Sequence, residues 1–221
     1  MIRLVNLSKS IGYHTILKSI QCEIADGGLV GIHGANGAGK TTLLRVTAGL
    51  TSFQSGMVQV GSYQFPHQTM AARHTIAYLG HQSMLYGDLT AKENFRFYLG
   101  IYRKSMAEKK IQTLLDEVGL INRQNDLVRT YSQGMQQRLQ LAIIFSRDAQ
   151  YIFLDEPFHS LDDPGRNYLD GMLIKANQSG KTILLVSHDT HHLHELCTRV
   201  IKIDAGRLVE EADTGISGAA Q

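Results

Sequence analysis

The chain has little that would place it outside the cell or across a membrane. Of its 221 residues only two are cysteine, Cys22 and Cys197, far apart and without the close spacing of a metal or redox pair. The expectation is two small buried side chains in a reduced setting, not a disulfide framework. Long apolar runs are missing as well. Leu141-Ala142-Ile143-Ile144-Phe145 is as long as any, far short of the roughly 20 residues that a membrane helix needs. Residues 1–6 lack the apolar core of a signal peptide, so no targeting segment is expected, and any membrane role must come through a partner. Charge of one sign is not in excess: 22 basic against 20 acidic residues leave a net +2 and a pI of about 8.5. That balance is too mild to argue for nucleic acid, and no nucleic-acid partner is expected. No internal repeat and no linker interrupts the chain. One globular domain over residues 1–221, 43% hydrophobic and 19% charged, is what remains.

Against those absences stands one dense motif. Gly34-Ala35-Asn36-Gly37-Ala38-Gly39-Lys40-Thr41 fits G-x-x-x-x-G-K-[ST] at every fixed position. Glycines let successive backbone N–H groups turn inward around a polyphosphate, which bulkier side chains would block. Lys40 can reach the β- and γ-phosphates and Thr41 can offer its hydroxyl to Mg²⁺, while Thr42 opens a helix whose positive end faces the anion. A plain glycine turn between strand and helix is the ordinary alternative. The apolar run at residues 29–32 before the motif and Leu43, Leu44, Val46 and Ala48 after it supply the context of a nucleotide-phosphate site.

Periodicity organises the rest. Residues 2–8 and about 16–24 suit short strands with a turn at 11–14, and further strands are expected at 57–60 and 75–79. From about 85 to 148 the pattern turns helical, with capping boxes at Thr90/Glu93 and Ser105/Glu108 and a third helix starting near Ser132. Continuous apolar runs at 151–154 and 182–186 read as strands buried on both faces of a parallel sheet. Asp163-Pro164 between them reads as an N-cap with proline at the first helical position. A hairpin through Ala205-Gly206 closes the pattern. The fold class is α/β: a phosphate-loop core, mostly parallel, with a helical subdomain inserted at about 85–148.

The strand at 151–154 runs into Asp155 and Glu156. Ligands of open α/β sheets gather at the carboxyl ends of strands, which sets these acids beside the phosphate loop. There one acid can hold Mg²⁺ and its neighbour can position or deprotonate a water. With Gln82 and Tyr131-Ser132-Gln133-Gly134-Met135-Gln136-Gln137-Arg138 before these acids and Ser187-His188-Asp189 after the next strand, residues 2 to about 210 resemble the ATPase subunit of ABC transporters. The resemblance implies a P-loop ATPase core with an N-terminal antiparallel β-subdomain and the inserted helical subdomain. It implies ATP and Mg²⁺ as cofactors. Its partners would be integral membrane permease subunits and a second ATPase subunit, a homodimer of this chain, held on the cytoplasmic face of the cell membrane. It implies that Tyr13 stacks on adenine, that residues 34–42 hold the phosphates, and that Gln82 touches the metal or the attacking water. Ser132, Gln133 and Gly134 would face the γ-phosphate held by a second subunit. Glu156 would be the general base, Asp155 a metal ligand, and His188 would hold the γ-phosphate and the water. Residues 82–102 would grip a cytoplasmic helix of the permease.

Two departures stand out. The usual signature Leu-Ser-Gly-Gly-Gln is here Tyr131-Ser132-Gln133-Gly134-Met135, and His159 stands where serine or threonine is usual. Residues 79–82 and 89–98 resemble most the haem-exporter subgroup of bacterial cytochrome c maturation; small drug or polysaccharide exporters are the alternative. A soluble clamp acting on ribosomes or DNA lacks its usual second cassette or coiled coil here. An ATP sensor without hydrolysis is opposed by intact Lys40, Asp155, Glu156 and His188. The cluster His188, His191, His192 and His194 reads as a solvated helix face rather than a metal site.

Overall fold

The computed structural model describes residues 1–102 and 106–213, with residues 210–213 described by backbone alone. The chain divides into two units, one of residues 1–78, 149–156 and 173 onward, the other of residues 79–148 and 157–172. The second takes in residues 79–84 and 157–172 besides the insertion expected at about 85–148.

The first unit begins with β1 (Ile2–Ile11) and β2 (His14–Ile24), an antiparallel hairpin closed by Ile11 opposite His14. The turn is therefore only Gly12-Tyr13, tighter than the sequence suggested, and Gly12 takes the positive φ such a turn requires (+58°). Strict alternation breaks inside both strands: Ile2, Leu4 and Leu7, and likewise Leu17, Ile20 and Cys22, are buried. The extra residues are Asn6 and Ser19, both with left-handed φ, at register shifts that return the next apolar side chain to the core. Next come β3 (Leu29–His33), α1 (Lys40–Thr47), β4 (Ser55–Val60), β5 (Tyr63–Phe65), the single turn α2 (Thr69–Ala72) and β6 (Ile76–Leu79). After the insertion follow β7 (Tyr151–Asp155), β8 (Thr182–Val186), α7 (Thr190–Leu196), β9 (Arg199–Asp204) and β10 (Arg207–Asp213).

Two sheets result. One runs β2-β1-β4-β5 and the other β10-β9-β3-β8-β7-β6. In the larger, β3 is parallel to β8 and β9, and β7 is parallel to β8. β7 and β8 are buried at every position, as their unbroken apolar runs demand. The core joins Ile2, Leu7, Ile20, Ile32, Leu44, Val46 and Phe153. At the end of the sheet, Ala205 and Gly206 both take positive φ and turn β9 into β10, as expected of a two-residue hairpin.

The second unit holds α3 (Ala91–Ile101), α4 (Glu108–Glu117), α5 (Gln133–Ser146) and the start of α6 (Asp163–Gln178). Its core gathers Phe95, Leu99, Ile111, Leu115, Leu139 and Ile143. The Thr90 capping box forms in full. The second one differs: Ser105 lies outside the described residues, and α4 starts at Glu108 with Ala107 at its N-cap. Glu108 instead receives Lys92 at 3.3 Å and Arg96 at 2.5 Å. The cap of α6 is also shifted. The helix already begins at Asp163, and Asp162 Oδ1 accepts from the Gly165 amide at 3.1 Å, so Pro164 is the second helical residue. No described helix is long and apolar enough to cross a membrane.

Asn94 is fully buried on α3. Its carbonyl oxygen accepts from Tyr86 N at 2.9 Å, and its amide donates to the carbonyls of Tyr86 at 3.0 Å and Thr90 at 3.0 Å. One side chain thus satisfies a loop that would otherwise leave buried backbone groups unpaired. Asn94→Ala is expected to cost about 1–3 kcal/mol of unfolding free energy in a urea titration; an unchanged midpoint would show that water replaces it.

Candidate functional site

The loop of residues 34–39 follows β3 and opens α1. Ala35, Asn36 and Gly37 are exposed, whereas Ala38, Gly39 and Lys40 are buried. Gly34 (φ +150°) is where a close approach is decisive: a Cβ there would lie 2.1 Å from the Ile203 carbonyl oxygen. The hairpin tip braces the loop from behind, since Gly206 N donates to Ala38 O at 3.0 Å and Lys18 N donates to Gly206 O at 2.8 Å. A Cβ on Gly206 would stand 2.2 Å from Ile16 O. Lys40 is only 7% exposed, and its Nζ donates to Gly34 O at 2.7 Å and Ala35 O at 3.0 Å. Thr41 is exposed and Thr42 half-buried at the first turn of α1. Tyr13 is fully exposed at the hairpin turn, three residues from Ile16, whose carbonyl lies against the loop at Gly39.

The parallel order β3-β8-β7 carries three more groups to the same edge. Asp155, opposite Val186, is 3% exposed. Its Oδ2 is buried with no hydrogen-bond partner. Glu156 follows with a left-handed φ of +53°, held by its own N–H donating to Val186 O at 3.0 Å. This strained turn takes the side chain out of the strand's alternation. His188 leaves β8, and its Nε2 lies 3.0 Å from Glu156 Oε1. That oxygen makes no well-aligned side-chain hydrogen bond, and the pair is an ion pair only when the imidazole is protonated; the His188 backbone also bonds to the Glu156 carboxylate. Burial raises the Glu156 carboxyl above its ordinary value, opposed by His188 and by Lys40. The next residue, Asp189, caps α7 by accepting from His192 N at 3.1 Å.

Phosphate loop, Asp155, Glu156 and His188 are thus built on one sheet edge in the first unit. Gln82, Ser132, Gln133 and Gly134 belong to the second unit. Ser132 is the N-cap of α5, its hydroxyl accepting from Met135 N at 3.2 Å. Gly134 packs so tightly that a Cβ would meet Ser160 O at 2.8 Å. Among the described residues no group of three or more His, Cys, Asp or Glu side chains could hold a metal; on α7 His191 and His194 are exposed and His192 is half-buried. The residues present nonetheless suit Mg²⁺ bound with a nucleotide: an unpartnered buried carboxylate oxygen and an exposed hydroxyl are the hard oxygen donors it prefers. One residue escaped the sequence reading. Tyr78 on β6 feels Asp155, and its hydroxyl is pushed up to about 12, by burial first and that carboxylate second. An aromatic in an apolar strand gave no signal for it.

Comparison with known proteins decides what this edge belongs to. The sequence profile of the ABC transporter family matches residues 17–159. The chain belongs to that family. It is an ABC ATPase, the ATP-binding subunit of a transporter. A cytochrome c biogenesis ATP-binding export protein, CcmA of Vibrio parahaemolyticus, is 32% identical over 203 residues, covering 92% of this chain and 99% of its own. A Nod factor export ATP-binding protein of Rhizobium johnstonii is 35% identical over 95% of this chain and 68% of its own. The Bacillus subtilis linearmycin resistance protein LnrL is 31% identical over 95% of this chain and 68% of its own. Among solved structures, a dimeric post-hydrolysis state of the ATP-binding cassette MJ0796 bound to ADP and Pi superposes with a TM-score of 0.87. It is 26% identical, over 97% of this ABC ATPase and 99% of that chain.

The glycines of the ABC ATPase loop separate two constraints. Gly34→Ala meets backbone and should lower unfolding free energy by about 1–3 kcal/mol. Gly37 has open space around it but a φ of +79°, so Gly37→Ala should cost about 1 kcal/mol through strain alone. Equal losses in chemical denaturation would remove the clash argument.

Proposed function

We propose that the two units form one ATPase domain and that ATP is held between two copies of it, bridging the phosphate loop of one and the Ser132 region of the other. The observation that carries the reading is the pairing of a half-buried Glu156 with His188 beside a buried Lys40. Residues 34–39 and the first amides of α1 enclose the phosphates, and Lys40 exchanges its two carbonyl partners for phosphate oxygens. Tyr13 offers its exposed ring to adenine. Mg²⁺, held by Asp155, Thr41 and Gln82, would neutralise charge on the β- and γ-phosphates. Glu156, its carboxyl poised by burial, takes a proton from water as the water oxygen bonds to the γ-phosphorus. The bond to the β,γ-bridging oxygen breaks and ADP departs. His188 stays by Glu156 and steadies water and phosphate.

Because the γ-phosphate is a ligand of both copies, its loss lets them separate and so drives the permease. The dimeric cassette with ADP and Pi supports this arrangement by its likeness. Tyr86, Phe97 and Ile101 are exposed apolar side chains on the second unit, and Tyr86 packs edge-on to Phe97 at 4.7 Å. They support a docking face for the permease within residues 82–102, on the cytoplasmic side of the membrane. Haem export in cytochrome c maturation is the cargo reading we favour, on the likeness of residues 79–82 and 89–98. The relatives named for Nod factor export and linearmycin resistance, at similar identity, support export of a drug or a polysaccharide.

Glu156→Gln should lower phosphate release by about a hundredfold or more and accumulate an ATP-bound dimer in size-exclusion chromatography. Turnover at the parent rate would remove the base assignment. Lys40→Ala should weaken ATP binding by about ten- to a hundredfold in a nucleotide titration, the loss of a charged hydrogen bond. Deleting the gene in its host should abolish c-type cytochromes on a haem-stained gel. Normal cytochromes with a new drug sensitivity would overturn the haem reading.

A further inference from the structure

Two glutamines on α5 have no task in the phosphate chemistry. Met84 N–H donates to Gln140 Oε1 at 3.1 Å, Gln140 Nε2 donates to Gln137 Oε1 at 3.3 Å, and Gln137 Nε2 donates to Pro157 O at 2.8 Å. The direction of this chain is forced. A backbone N–H at one end can only donate and a carbonyl at the other can only accept, so both amides must point oxygen toward Met84 and nitrogen toward Pro157. A flip of either would set like groups face to face. Gln140 is 4% exposed, where an unpaired amide is costly.

The two ends are not arbitrary places. Met84 comes two residues after Gln82, and Pro157 directly follows Glu156. The same two segments meet again through His81 and His159, whose ring centroids are 5.6 Å apart. The start of α5 is pressed on the second segment as well, with Ser160 Oγ donating to Gln133 Oε1 at 3.4 Å. We propose that Gln137 and Gln140 are positioning residues, a strut that ties the backbone after Gln82 to the backbone after Glu156 so that the two segments shift together. The strut rests on the roles proposed above for Gln82 and Glu156. It makes no contact with nucleotide. Its effect is on how far the water-positioning groups stray from their working geometry, to which rates are steeply sensitive.

Gln140→Met and Gln137→Met keep side-chain length and remove the amide. Hydrogen exchange on the nucleotide-free chain should quicken in both 83–86 and 158–161 for either variant. Steady-state ATP hydrolysis should show kcat reduced about five- to tenfold with KM for ATP within about twofold of the parent, because residues 34–42 are untouched. The double variant should be no slower than the slower single one. A thermal melt checks folding, and Gln137, which is half-buried, serves if Gln140→Met does not fold. The strut is overturned if exchange quickens only beside the altered residue, if kcat is unchanged, if KM rises as kcat falls, or if the two single losses multiply. Should the parent itself release no phosphate, the functional reading fails instead, and the exchange pattern alone judges the strut.

Discussion

A buried ammonium group sets the terms for the first unit. Lys40 is nearly out of solvent, and a charge so placed is tolerated only with partners. It takes them from the loop it belongs to, through the carbonyls of Gly34 and Ala35. The loop's residues Ala35 to Gly37 remain exposed. The same charge reaches Glu156, where it opposes the effect of burial on the carboxyl. One cation thus holds the glycine-rich loop by two of its carbonyls and acts on the carboxyl of Glu156.

Much of this was legible because its physical causes are local. Unbroken apolar runs marked β7 and β8, a glycine-rich loop between apolar segments marked the cradle, and Ser132 marked the start of α5. What was misread depended on competition between neighbours. Asp162 and Asp163 are both good capping residues, and the structure uses the first. Asn6 and Ser19 break alternation in β1 and β2 as bulges, which periodicity cannot distinguish from a turn. The left-handed backbone of Glu156 was not legible, since a β7–β8 pairing has to exist before Val186 can capture its N–H. Gln137 and Gln140 were invisible for a similar reason. Polar residues on a helix look solvated until something covers them.

The departures from the usual ABC signature are easier to understand together than singly. Gln133 replaces a glycine, and its side chain accepts from Ser160 Oγ. His159 replaces a small hydroxyl residue, and its ring lies against His81. Each larger side chain is turned toward another segment of the same unit. Gly134 is retained where Ser160 O leaves no room for a Cβ. Size has been added where space exists and withheld where it does not.

The hairpin tip at Ala205-Gly206 gives the glycine-rich loop of residues 34–39 a backstop made from residues far along the chain. Ile203 O, Gly206 N and Gly206 O touch the cradle or the strand beside it, so the cradle is not finished until β9 and β10 have been laid down. The loop thus owes part of its support to a segment near the far end of the described chain, and a change at the hairpin tip would reach it without altering one residue of the motif.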